Sequence, residues 1–116
     1  MERTSPEDAV ELFRALGDPN RLKILRLLSE RAYCVRMIAE HVGISQPAAS
    51  QHLRVLRNAG LVESEKRGYY VHYSVRPEAL GECAKLVASL APAKAKRRGT
   101  KASARSRATQ RPRPKA

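Results

Sequence analysis

The stretch that decides the fold runs from Ile38 to Leu61, IAEHVGISQPAASQHLRVLRNAGL. It holds two helix-sized apolar patterns joined by a short corner. Gly43 closes the first pattern, because glycine alone enters the left-handed region cheaply at a helix end. Ser45 offers an N-cap oxygen, and Pro47 falls in the first turn, where a missing N–H costs nothing. Ala49, Leu53 and Leu56 then recur at i, i+4 and i+7, which makes one buried stripe. The opposite face carries Ala48, Ser50, Gln51, Arg54 and Asn58, which are short, polar or basic, with no acid among them. A helix with that outer face suits a DNA major groove, so the pair predicts a helix-turn-helix.

The flanking segments extend this into one small domain. Upstream, Ser5-Pro6-Glu7-Asp8 starts a helix whose apolar face is Ala9, Leu12, Phe13 and Leu16, ending at Gly17. Asp18-Pro19 repeats the cap-plus-proline signal and opens a second helix to about Ser29. Ile24, Leu25, Leu27 and Leu28 make this the central buried helix. A short third helix runs from near Val35 to Gly43. Downstream the period changes to two: Leu61–Lys66 and Tyr69–Val75 predict a β-hairpin with Arg67-Gly68 between them. Val71, Tyr73 and Val75 share one side, and Tyr70, His72 and Ser74 share the other. A last helix from Pro77 to Leu90 carries the stripe Leu80, Cys83, Val87 and Leu90, a candidate dimer seam. The expected fold class is mainly α with a small β-hairpin, a homodimeric winged helix-turn-helix. Its parts are a frayed segment over 1–5, a DNA-binding and dimerisation domain over 6–91, and a disordered polybasic tail over 92–116.

Charge is distributed unevenly. Of the net +12 in 116 residues, residues 92–116 contribute 10 basic side chains and no acid, while residues 1–91 hold 13 basic and 11 acidic ones. A near-neutral domain with a polycationic tail points to nucleic acid, and the tail should add sequence-independent affinity. Two cysteines, Cys34 and Cys83, make no disulfide framework and fit a reducing compartment. No apolar run reaches the length of a membrane span, and MERTSPEDAV is too polar and acidic for a signal peptide. The expected location is the cytoplasm of a bacterium or archaeon, at the nucleoid, with no membrane partner.

Three phrases resemble the bacterial ArsR/SmtB family of metal- and stress-responsive repressors: LFRALGDPNRLKILRLL (12–28), IAEHVGISQPAASQHLRVLRNAGLV (38–62) and RGYYVHYSV (67–75). The resemblance covers roughly residues 7–90. It implies a homodimer built from the first and last helices, and double-stranded operator DNA released when an inducer fills a sensor site. By position it implies that Ser45, Gln46, Ala48, Ser50, Gln51 and Arg54 meet bases and phosphates. Lys66, Arg67 and Tyr69 would form the wing. His52, in the S-x-H-L pattern, reads as a packing or phosphate-contacting histidine rather than a metal ligand.

The family's sensor sites are incomplete here. Where the arsenic- and cadmium-type site has C-V-C, this chain has Cys34-Val35-Arg36. The last helix, where the zinc- and nickel-type site has Asp and His ligands, offers Glu78, Glu82 and Cys83 and no histidine. No metal ligand set and no cofactor is therefore assigned. Cys34 remains a candidate sensor, because it stands at an N-cap-like position where helix N–H groups favour a thiolate, with Arg36 nearby and exposure expected. Its competing reading is a small residue tolerated at a helix start. Cys83, on an apolar stripe, reads as a small hydrophobe.

Two other functions compete with the regulator. A nucleoid-associated architectural protein would bind mainly through its tail. An enzyme is disfavoured: there is no Gly-rich phosphate loop, no paired carboxylates and no nucleophile–base motif, and His41, His52 and His72 lack metal-like spacing.

Overall fold

The computed structural model describes residues 6–93; the frayed segment and nearly all of the tail expected from sequence lie outside them. In order, the elements are α1 (Pro6–Leu16), α2 (Pro19–Leu28), β1 (Tyr33–Cys34), α3 (Val35–Val42), α4 (Gln46–Asn58), β2 (Val62–Arg67), β3 (Tyr70–Val75) and α5 (Pro77–Ser89). The chain divides into two compact units after Ala84, within α5. Among the described residues no helix is long and apolar enough to cross a membrane.

The core of the first unit follows from the periodicities. Ile24 and Leu28 of α2, Ile38 of α3, Ala49, Leu53 and Leu56 of α4, and Leu61 and Val62 entering β2 belong to one buried cluster. The 3.6-residue stripes of three helices thus close on each other and on one sheet face. At about 25 cal/mol per Å² of apolar area, each of the Ile, Leu and Val side chains contributes roughly 1.5–3 kcal/mol.

The helix boundaries rest on the residues anticipated for them. Asp18 Oδ2 accepts from the N–H groups of Asn20 (2.9 Å) and Arg21 (3.1 Å), capping α2. Ser45 Oγ accepts from the Ala48 N–H at 3.1 Å, capping α4. Gly43 sits at φ +85° and its N–H bonds to Ala39 O, so the chain can leave α3 and re-enter a helix at Gln46. That three-residue corner is the turn of the helix-turn-helix.

The sheet departs from expectation. It has three strands in the order β1-β3-β2, both pairings antiparallel, where a two-stranded hairpin was anticipated. Tyr33 pairs with Tyr73 and Cys34 with His72. A two-residue strand has no alternation to reveal it, and its partner lies about forty positions downstream. In the hairpin, Arg67 pairs with Tyr70, so Arg67 ends β2 and the loop is Gly68-Tyr69 rather than Arg67-Gly68. Gly68 has φ +64° and no other residue type in the described chain has positive φ, the pattern of a type II′ turn.

Candidate nucleic-acid interface

Helix α4 separates its two roles by face. Ala49, Leu53 and Leu56 are buried, whereas Ser45, Gln46, Ser50, Gln51 and Arg54 are exposed and Ala48 is half-buried. The first turn of α4 holds no acid. Its free N–H groups and the positive end of the helix dipole therefore face solvent without a competing carboxylate. Ser45 is spent partly on its cap, which leaves its hydroxyl proton free to donate.

The wing stands beside this face. Lys66, Arg67 and Tyr69 are all exposed, and Tyr69, at the tip of the loop, is 97% exposed. An aromatic ring held out in water by a tight turn has no packing role within the chain. Arg67 Nη2 lies 3.4 Å from Glu65 Oε1, both side chains well exposed, an ion pair worth little and easily surrendered to a phosphate. Arg57 Nη1 donates to Ser64 Oγ at 3.1 Å and ties the end of α4 to β2, so helix and wing are held in one frame.

His52 is drawn inward, as the packing reading expected. Its Nδ1 lies 3.3 Å from Arg21 Nη1 and 3.9 Å from Asp18 Oδ2, with 19% of its side chain exposed. The backbone N–H of Arg21, first of all, holds the Asp18 carboxyl below its ordinary value, with smaller help from the Arg21 charge against an opposing desolvation. Asp18 is thus a carboxylate at the N-terminus of α2. Sequence reading found Asp18 as a cap and His52 as part of a motif, but missed that Arg21 joins them.

The candidate sensor is less open than expected. Cys34 is half-buried rather than exposed, and although it is the N-cap of α3 its side chain makes no capping bond. Its rung neighbour His72 has a buried Nδ1 with no hydrogen-bond partner. Glu65 stands opposite His72 on β2, so Cys34, His72 and Glu65 lie in one row on the sheet face away from Tyr33 and Tyr73. That row was not legible from spacing, although His72 had been placed with Tyr70 and Ser74 on the side of the hairpin opposite Tyr73. Among the described residues, no three or more His, Cys, Asp or Glu side chains are grouped to hold a metal ion. One thiol with Arg36 two positions on does not fit a thiolate metal site.

Cys83 requires a correction as a dimer-face residue. It is 5% exposed within the core of its own unit, and burial, followed by the Glu82 carboxylate, pushes its thiol up. Leu80 is half-buried against the same core. Val87 and Leu90 are exposed, at 54% and 76%.

An exposed polar helix beside a β-hairpin with a basic tip, on a three-helix base, defines a winged helix-turn-helix DNA-binding domain. Residues 18–64 match the family model of the bacterial regulatory proteins of the arsR family. An HTH-type transcriptional regulator from Methanocaldococcus jannaschii is 41% identical over 85 residues, covering 72% of this chain and 96% of that protein. The transcriptional repressor SdpR of Bacillus subtilis is 38% identical over 69 residues, covering 60% of this chain and 77% of SdpR. Among solved structures, a homodimeric winged helix-turn-helix DNA-binding domain from Mycobacterium bovis, described as a possible ArsR-family regulator, superposes with a TM-score of 0.62 at 28% identity, covering 72% of this chain and 79% of that one. The chain belongs to the arsR family: it is a DNA-binding transcriptional regulator and not an enzyme. The architectural alternative finds no support in these relatives.

Proposed function

We propose that the protein is a homodimeric repressor that reads a pseudo-palindromic operator in the cytoplasm, at the nucleoid. The observation that carries this reading is the exposed, acid-free face of α4 set beside the exposed wing. Arg54 and Gln51 are long enough for base edges, Arg suiting guanine O6/N7 and Gln adenine N6/N7. Gln46, Ala48 and Ser50 pack against the groove wall, and Ser45 with the α4 N–H groups holds phosphate. Lys66, Arg67 and Tyr69 reach the flanking groove. Dimerisation would cover Val10 and Phe13 on α1 in the first unit and, in the second, Val87 on α5 and Leu90 just beyond its end, large apolar side chains that a single chain leaves in water. Two copies then place two recognition helices on half-sites about one helical turn, roughly 34 Å, apart.

Release from the operator is assigned to Cys34, which leads directly into α3 of the helix-turn-helix. Oxidation or capture of this thiol by an oxidant, a reactive sulfur species or a thiophilic metalloid would disturb the strand rung that starts α3. Neither a complete metal site nor a resident cofactor forms part of this reading.

Selection from a random duplex pool with the full chain tests the function. A recovered pseudo-palindrome, bound less tightly by Arg54→Ala, supports it, and recovery of no sequence preference refutes it. For the trigger, Cys34→Ser should bind the selected duplex as the wild type does and fail to release under oxidants or metalloids. Normal release by this variant would return Cys34 to a structural role.

A further inference from the structure

We propose that Arg21 and His52 are positioning residues for DNA reading, a directional clamp that fixes how α4 is rotated against the α1–α2 corner. The inference rests on α4 being the DNA-contacting helix. The apolar stripe of α4 decides which face is inside, but apolar packing has no preferred direction and tolerates small rotations. A hydrogen bond is directional.

Arg21 supplies the direction. Its Nε donates to Ala15 O at 2.7 Å and its Nη2 to Arg14 O at 3.2 Å, so the guanidinium sits on the carbonyl end of α1. Its remaining arm, Nη1, lies 3.3 Å from His52 Nδ1. Asp18, which caps the same helix as Arg21, lies 3.9 Å from that same Nδ1. One planar group therefore joins the end of α1, the first turn of α2 and the middle of α4.

The bond determines the state of the imidazole. A guanidinium has donors and no acceptor, so Nδ1 must be the acceptor and the proton must reside on Nε2. The competing arrangement, a doubly protonated ring facing Asp18, would set Nδ1–H against the Arg21 N–H groups. Its 3.9 Å separation also exceeds hydrogen-bond length. The Arg21 bond is the shorter and better formed of the two. His52 sits beside Gln51 and two positions before Arg54 on α4, so a rotation released at His52 displaces both long side chains together.

The test is a set of full-length variants measured on the selected operator and on a random-sequence duplex. His52→Asn offers an amide oxygen where Nδ1 stood and should keep operator affinity within about twofold. His52→Leu keeps bulk but not the acceptor. It should lose about five- to tenfold on the operator, the size of coupling typical of contacting pairs, with random-duplex affinity retained. Arg21→Met should lose a similar factor, and combining it with His52→Leu should lose no more than either alone. In the wild type, long-range ¹H–¹⁵N spectra should show the His52 proton on Nε2. Wild-type affinity in His52→Leu, additive losses in the double variant, or a proton on Nδ1 would each overturn the clamp. An equal loss on both duplexes with an unchanged thermal midpoint would instead make His52 a phosphate contact, and would also overturn it. Failure of the wild type to select any operator would count against the DNA-reading assignment, a result distinct from all of these.

Discussion

Helix α4 and the start of α3 are neighbours in sequence, and both carry residues proposed for function, yet they are built on opposite principles. The working side chains of α4 are exposed and nearly independent, each needing only to point outward from a helix anchored by Ala49, Leu53 and Leu56. Cys34 is half-buried in a three-stranded sheet, paired with His72 from a distant strand. A reading surface requires exposure, whereas a trigger requires connection to the fold. Substitutions on the outer face of α4 should therefore change affinity without changing stability. Substitutions around Cys34 cannot be separated from the sheet so cleanly.

The sharpest break between anchor and reading face is at Leu56, fully buried on α4. Leu56→Ala should cost about 2–5 kcal/mol of stability, read from denaturant unfolding, because the cavity left by the side chain cannot fully collapse. Arg54→Ala, two positions away on the exposed face, should cost on the order of 1–3 kcal/mol of operator affinity at constant stability. Equal stability losses for the two would show that the faces are not separated. Ser45→Ala removes the α4 cap and should cost about 1 kcal/mol of stability, with a further affinity loss if the hydroxyl also donates to phosphate.

A smaller effect distinguishes the corner that holds α4 from the helix itself. The Asp18 carboxyl is held below its ordinary value of 3.8, first by the Arg21 N–H. A group depressed in the folded state contributes stability that is fully present above the unfolded value and lost as pH falls through the folded one. Thermal midpoints should therefore drop on acidification below about pH 4, and Asp18→Asn should flatten part of that drop. An identical acid limb in the variant would remove Asp18 from the account. The smallest expected change is at the wing tip, where Tyr69→Ala should leave stability within about 0.5 kcal/mol while weakening DNA binding a few-fold.

The same contrast explains what could be read before the structure. The face of α4, the caps Asp18 and Ser45 and the corner at Gly43 are set by local spacing, and each lies where periodicity and turn chemistry place it, while the wing loop falls one residue later than spacing placed it, at Gly68-Tyr69. The misses are relations across sequence distance. The strand Tyr33–Cys34 is too short to alternate, and its register with Tyr73 and His72 is decided by packing of the whole sheet. Arg21 looks in sequence like one more basic residue on a helix, and only tertiary structure joins it to Ala15, Arg14 and His52. Cys83 fits the apolar stripe of α5 perfectly well, but a stripe does not say whether it faces its own core or a partner.

In the proposed function α4 reads sequence, two copies at a time. Hydroxyl-radical footprinting of the full chain on a selected duplex tests it most directly. Two protected patches are expected about one helical turn, roughly 34 Å, apart, weakened together by Arg54→Ala. Even protection along any duplex, indifferent to Arg54, would contradict it.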